Sequence, residues 1–430
     1  MANTLLLDET GQQLVSLMTQ WRGSLDALKT DNKTSLVAAI NELVDGTTRD
    51  NGESGPSTKT SPGLSLDNRY FSTLHTGYSY TTTVTYGGDG TFSASSSDET
   101  VATASYSNKV LTVTAIGSGS CVINCNLTET TSMRGAYTTV YVDVTPTLEE
   151  TSWEDIQAKG AAGTGSLYWD IGDTKTITLD GTVGTLELNN FSCKVFIIEF
   201  NYRGVNGIYF QGFKSTDGVD IGLCDGSYGS DVYSGKYFNM NHVGSSSTYN
   251  TNYGGWKGSD LRYDILGSTD RAPSQYNSNK SASNVGYDAT SAAVTNPVSG
   301  TLMEALPNDL RNVLAAWTIY TDNMGNASNV LANVTTSIDY LPLLSEFEIQ
   351  GVRSYANQFE QNYQAQMSYY VNGNSRVKYN YYSTSSAVNW WLRSPYCTNT
   401  IRFCYVNANG NVHYHYASNL QSLAPAFRIA

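Results

Sequence analysis

Charge is scarce in this 430-residue chain. Asp, Glu, Lys and Arg make up 15% of it, and no window gathers Lys and Arg into a patch. A net charge of −13 with no basic footprint repels phosphate backbones, so nucleic acid is excluded as a partner. Cysteine is thin as well. Its six copies are dispersed, the opposite of the dense frameworks that staple small secreted domains, and reduced thiols are expected. Cys121 and Cys125 lie on one face of an alternating run but roughly 13 Å apart along a strand, beyond disulfide reach, which makes them small core residues. No apolar run is long enough to cross a bilayer. The start, Met1 to Asp8, has neither the basic region nor the apolar stretch of an export signal, so synthesis in the cytoplasm without a Sec signal, and no membrane insertion, is expected. Histidine numbers four. His413 and His415 alternate on one strand face without a third ligand at metal spacing, so no metal or other cofactor is called for.

What is abundant is tyrosine, 31 copies, set among Gly, Ser, Thr and Asn. That mixture suits strands, and it is also the composition of binding surfaces, where a Tyr ring gives large amphipathic contact at low rotamer cost. The length suggests about two to four domains at roughly 150 residues each. Leu14, Met18, Trp21, Leu25 and Leu28 follow the 4, 3 spacing of a coiled-coil seam, and Leu36, Ile40 and Leu43 resume it after the capping run Asp31 to Ser35. Helices this short need partners, which predicts an α-helical oligomerisation segment over 1–46. Residues 47–63 have linker composition.

From 64 to 147 short alternating runs recur between turns: Tyr80 to Tyr86, Val101 to Tyr106, Val110 to Ala115, Cys121 to Leu127 and Thr138 to Val144. That spacing predicts an all-β sandwich. The remainder, 148–430, reads as one α+β domain. Early strands such as Val195 to Phe200 are followed by helices at Leu302 to Leu306, Asp309 to Ala316 and Leu343 to Gln350. Near its end WWLRSP (390–395) and LAPAFRIA (423–430) enclose a run, Tyr396 to Ser422, that contains no Lys, Glu, Asp, Met or Trp and a single Gln. Trp390, Trp391, Leu392, Pro395, Leu423, Pro425, Phe427 and Ile429 read as frame, with Arg393 and Arg428 pairing carboxylates or carbonyls inside it. Asn409-Gly410 between two alternating runs predicts a hairpin.

Three stretches resemble known families. NKTSLVAAINEL (32–43) resembles a short motif near the N-termini of phage tail-fibre proteins. SSSDETVATAS (95–105) with LTVTAIGSGSCVI (111–123) resembles the bacterial immunoglobulin-like group 2 domain, a spacer or stalk module. The region from Ser152 onward resembles the C-type-lectin-like variable proteins of diversity-generating retroelements, in which Asn codons scatter to Tyr, Ser, Thr, His, Cys or Asp but never to Lys, Glu, Gln, Met or Trp. The resemblance implies a variable segment within about 379–422, with Phe403, Val406, Gly410 and Ala417 as fixed points. It implies ligand contacts from Tyr396, Thr398, Asn399, Thr400, Arg402, Tyr405, Asn407, Asn409, Asn411, His413, Tyr414, His415, Tyr416, Ser418 and Asn419.

The fold class expected is therefore multi-domain: helical assembly segment, Ig-like sandwich, C-type-lectin-like domain. The function expected is that of a phage virion receptor-binding adhesin. It would sit on the tail as a homotrimer, contact other virion tail proteins through its N-terminus, and bind a host-cell surface protein or glycan. A bacterial surface-displayed variable protein is the first alternative. A fibre-tip glycan-degrading enzyme is the second, and it lacks paired carboxylates in the variable run. Redox chemistry at Cys397 and Cys404, known on the same broad fold, lacks a basic residue placed to activate a thiolate. Calcium-dependent sugar binding lacks its carboxylate strings. No catalytic residue is assigned. For the assembly segment, light scattering of the full chain should give an oligomer that loses mass when residues 1–46 are deleted; a monomeric full-length chain refutes it.

Overall fold

The computed structural model describes residues 59–232, 235–241, 251–273 and 286–430. The helical assembly segment 1–46 and most of the 47–63 linker lie outside the described residues. Those that are described are mostly β-sheet, with few and short helices. They fall into two compact units. The first, among described residues, joins 59–62 to the turns 88–90 and 128–135. It is held by a Thr60–Met133 bridge, a Lys59–Glu129 ion pair and the Thr130 hydroxyl on Asp89.

The second unit holds everything else, beginning with eight strands: β1 (Ser65–Leu66), β2 (Tyr70–His75), β3 (Ser79–Thr85), β4 (Phe92–Ser96), β5 (Ala102–Ser107), β6 (Val110–Ala115), β7 (Gly119–Leu127) and β8 (Ala136–Thr145). They form two four-stranded sheets, β1-β3-β6-β5 and β2-β8-β7-β4. Alternation sets the inward faces: Val84, Leu111 and Val113 of one sheet share a core with Phe92, Ile123, Val140 and Val142 of the other. Cys121 and Cys125 are buried and free in that core. The five runs read from the sequence all form strands. β2 and β4, broken by Ser and His, carried no clean alternation and were not anticipated.

The following domain opens with α1 (Trp153–Ala161). Ser152 caps it by accepting from the Asp155 amide at 3.1 Å, and Trp153 and Ile156 are turned inward. Then come β9 (Thr174–Val183), β10 (Leu186–Phe200), β11 (Ile208–Lys214) and β12 (Ile221–Gly222). The helices α2 (Ala292–Thr295), α3 (Leu302–Ala305) and α4 (Asn308–Val313) precede β13 (Leu314–Ala315), β14 (Trp317–Asp322) and β15 (Val334–Asp339). α4 is shorter than the helix expected over 309–316, because Leu314 and Ala315 pair with the chain's last strand instead. α5 (Glu346–Gln350) and α6 (Ser368–Val371) lead to β16 (Lys378–Asn380), β17 (Ser383–Val388), β18 (Trp390–Pro395), β19 (Arg402–Val406), β20 (Val412–Tyr416) and β21 (Ala426–Ile429).

β21 lies inside a five-stranded sheet ordered β13-β21-β11-β10-β9, with Phe427 stacked on Phe210 at 5.2 Å. α1 packs so closely over it that a Cβ on Gly160 would stand 2.4 Å from the Ile429 carbonyl oxygen; only glycine fits. Arg428 gives its N–H groups to the carbonyls of Asn206 and Ala316, the role expected of it.

Arg393 of β18 is fully buried. It makes a forked contact with Glu348, its Nη2 2.7 Å from Oε1, and also donates to the Leu343 carbonyl at 2.8 Å and the Thr321 hydroxyl at 2.8 Å. Glu348 in turn completes a capping box with Ser345 at the start of α5. One ion pair thus ties β18 to α5 and β14. Replacing a single partner strands the other charge away from water, a loss of about 3–5 kcal/mol. Glu348→Leu and Arg393→Met should each lower chemical-denaturation stability by that order, while the double change Glu348→Leu/Arg393→Met should cost clearly less than their sum. Additive losses would refute a coupled pair.

Candidate functional site

The three-stranded sheet β18-β19-β20 carries the residues singled out by sequence. β18 is buried throughout, Trp390 and Trp391 at 0% exposure. Their indole N–H groups donate to the carbonyls of Arg376 (3.0 Å) and Phe238 (2.9 Å), so both rings are fixed in orientation. β19 pairs with β18 on one side and with β20 on the other, in the register Arg402↔Tyr416, Cys404↔Tyr414, Val406↔Val412. The connection at Asn409-Gly410 is a three-residue loop rather than the two-residue turn that the dipeptide suggests. Gly410 alone takes positive φ (80°), its N–H reaches the Asn407 carbonyl at 2.8 Å, and the Asn407 side chain accepts from the amides of Asn409 and Asn411.

Residues paired across an antiparallel ladder share a face. The ribbon therefore divides what the sequence treats as one surface. Arg402, Tyr414 and Tyr416 lie on one side; Tyr405, His413 and His415 lie on the other, where the Tyr405 ring meets both imidazoles at 5.9 Å. On the first side Tyr396 stacks on Tyr414 with centroids 4.4 Å apart, and Arg402 places its guanidinium carbon 4.8 Å from the Tyr414 ring and 4.9 Å from the Tyr416 ring. Tyr355, from the segment after α5, meets Tyr396 and Tyr414 edge-on at 5.6 and 4.9 Å. All five are half-buried.

Around this row Thr398, Asn409, Asn411 and His413 are exposed, and Asn399, Thr400, Asn407 and His415 are half-buried. Three expected contact residues are not at the surface. Ser418 is at 0%, Asn419 at 4% and Tyr405 at 9% exposure. Ser418 and Asn419 turn toward Asp231, the Ser418 hydroxyl donating to its carboxylate at 3.0 Å. Tyr405 is covered because the residue opposite it on β18 is Trp391. Composition could not separate them from the exposed set, since Ser, Asn and Tyr suit either environment. Of the 379–389 run, Tyr382, Thr384, Ser385 and Ser386 are exposed on β17 and its turn.

The residues that hold the row in place come mostly from elsewhere in the chain. Buried Glu346 accepts from the amides of Ser354 (2.6 Å), Tyr355 (3.0 Å) and Ala356, which fixes the turn presenting Tyr355. Burial raises its carboxyl above the ordinary range, and those N–H groups oppose the rise. Glu360, also buried, accepts from the Asp322 amide at 2.9 Å and the Ser394 hydroxyl at 2.8 Å; burial pushes it up to about 8. Asn252 clamps the β18–β19 connection, its amide N–H₂ reaching the carbonyls of Asn399 (2.6 Å) and Arg402 (2.9 Å). No periodicity marks Asn252, which sits in an Asn- and Tyr-rich stretch like its neighbours. Glu346 and Glu348 were visible only as the first turn of a helix.

Among the described residues no cluster of His, Cys, Asp and Glu has the arrangement of a metal site, and no helix is long and apolar enough to cross a membrane. Cys397 and Cys404 are both buried. Burial raises both thiols, against the grain of nucleophilic or redox use, even though an Arg353 N–H points at the Cys397 sulfur from 3.2 Å.

A family described as a domain of unknown function, DUF6273, matches residues 246–430. No curated protein matches the chain significantly. Among solved structures, domains 4 and 5 of the S-layer protein SbsC align at 23% identity over 21% of this chain and 54% of theirs, with a TM-score of 0.17. Domains 5–6 of the same protein align at 16% identity over 37% of this chain and 65% of theirs, with a TM-score of 0.18. The chain thus spans about half the length of the first of these structures.

Glu360 generates a pH signature. Its carboxyl binds a proton up to about pH 8 when folded and only to about pH 4.3 when unfolded, so unfolding releases a proton between those limits. Its contribution is full at low pH and is lost as pH rises from about 4.3 to about 8, by several kcal/mol at about 1.4 kcal/mol per unit. Urea denaturation from pH 5 to 9 should show Glu360→Gln close to the parent chain at pH 5 and more stable than it at pH 9. Parallel curves would overturn this assignment.

Proposed function

We propose that this chain is a non-catalytic receptor-binding adhesin of the phage tail-fibre type, carried on the virion as an oligomer, a trimer by the N-terminal seam. An Ig-like stalk module leads to a C-type-lectin-like domain, whose β19–β20 ribbon is the ligand face and is diversified by a retroelement. The observation that carries the reading is the separation of duties within one ribbon. Phe403, Val406, Val412 and Ala417 are buried frame, whereas Tyr396, Arg402, Tyr414 and Tyr416 form a continuous half-exposed row that no internal packing role requires. Such a row changes its chemistry without changing the fold. Aromatic rings on a pre-ordered hairpin also lose little entropy on binding.

The contact set is narrower than the sequence implied. It comprises Tyr396, Thr398, Asn399, Thr400, Arg402, Asn407, Asn409, Asn411, His413, Tyr414, His415 and Tyr416, with Tyr355 as a neighbour outside the ribbon. A cell-encoded display protein using the same face differs only in where the gene resides.

Sequencing the DNA beside the gene tests the diversification. A near-identical repeat spanning the codons of about 390–423, differing only where the repeat carries adenine, should lie next to a reverse transcriptase gene; differences at the other three bases in equal measure refute it. For the face itself, replacing Tyr396, Tyr414 and Tyr416 together by Ser should abolish attachment to host cells while shifting stability by only about 1–2 kcal/mol. Trp391→Ala, by contrast, should cost about 3–5 kcal/mol.

A further inference from the structure

Arg402 is placed differently from Arg262, Arg393 and Arg428, the arginines that hold the domain together. Arg262 spends its N–H groups on Asp339 and three carbonyls, Arg393 on Glu348, a carbonyl and a hydroxyl, and Arg428 on two carbonyls. Arg402 makes one long contact, Nη2 to the Tyr416 hydroxyl at 3.4 Å, and among the described residues no carboxylate pairs with it. Two tyrosine rings lie against its guanidinium at 4.8 and 4.9 Å. A guanidinium held against rings is partly stripped of water and fixed in its plane, while its edge keeps the forked donors that match a carboxylate.

The ribbon itself carries no carboxylate to answer that charge. The chain is acidic overall, yet residues 396–422 contain no Asp or Glu. Across the ribbon, burial lowers the His415 imidazole, with Asp231 opposing that and the Arg402 charge adding to it. Flanking Arg402, the Tyr396–Tyr414 stack and Tyr416 offer ring faces and hydroxyls, and the exposed positions between them are Thr, Asn and His. Flat rings for C–H faces, dense hydrogen-bonding groups and one open guanidinium edge suit a sugar that bears a carboxylate.

Resting on the ligand-face reading above, we propose that this ribbon binds an acidic glycan, with a uronate or sialate carboxylate on the edge of Arg402 and the sugar ring against the neighbouring tyrosines. The test uses the full chain and four immobilised polymers: polygalacturonate, alginate, hyaluronate and polysialate, each beside its carboxyl-reduced neutral form, with polyglutamate as the peptide counterpart. At least one acidic polymer should bind tenfold or more tighter than its reduced form. Arg402→Gln should erase that preference, and Arg402→Lys, which keeps the charge but not the fork, should lose at least fivefold, with melting curves confirming that both variants fold.

No preference for any acidic polymer, a preference that survives Arg402→Gln, or equal binding of polyglutamate would each overturn the proposal. The failures are separable. Binding to a reduced polymer that is lost in Tyr414→Ser/Tyr416→Ser but indifferent to Arg402→Gln leaves the ligand face standing and removes only the acidic class. Acidic-polymer binding indifferent to the tyrosines removes the face itself.

Discussion

Arg393 and Glu348 meet away from solvent, where each charge is answered chiefly by the other and the remaining donors and acceptors by Leu343, Thr321 and Ser345. Neither charge is tolerable alone at that depth, so β18 and α5 must find one another for the domain to form. The consequence runs outward in both directions. From Arg393 the strand continues to Ser394, which engages Glu360, and back to the two tryptophans on which β19 is laid. From Glu348 the helix start carries Glu346, whose carboxylate gathers the turn that presents Tyr355. Three glutamates at 0–1% exposure thereby serve a surface none of them touches.

That arrangement explains how the same short ribbon is rigid and permissive at once. Its backbone is held by frame residues on β18, by the Asn252 clamp and by the Asn407 side chain in the loop. Its outward side chains hold one another: Tyr396 on Tyr414, Arg402 on Tyr414 and Tyr416. Ring–ring and ring–cation contacts at half-exposure are worth about 1 kcal/mol each, enough to order a surface and too little to be indispensable to the fold.

The sequence was most informative where a periodic pattern coincided with burial. Strand alternation located β3, β5, β6, β7 and β8, and the WWLRSP and LAPAFRIA frames were legible because clusters of large apolar residues flank a run rich in Tyr, Asn, Ser and Thr that has no Lys, Asp or Glu. The pairing of Arg393 and Arg428 with internal acceptors could be anticipated because charge inside an apolar frame has few other options. The Asn-Gly signal located the hairpin and missed its loop length, because one residue of backbone geometry separates the two-residue and three-residue forms. Alternation along β20 located its strand, but which side of the ribbon is covered depends on Trp391 and Asp231, which are distant in sequence. That dependence is why composition alone places Tyr405, Ser418 and Asn419 at the surface and the structure does not. Asn252 and Glu360 carried no local signal at all, since their roles exist only in three dimensions.

The position of β21 has a consequence for inheritance. The strand that completes the five-stranded sheet, between β11 and β13, is encoded downstream of the ribbon. A premature stop or a shift of reading frame anywhere in 396–422 deletes it. With it go the Phe427 stack on Phe210 and the strand over which Gly160 is fitted. Missense changes on the outer face leave that closure untouched, whereas nonsense and frameshift changes yield a chain that cannot close its sheet. The fold thus acts as a proofreader of its own gene, since only copies whose frame survived can complete it.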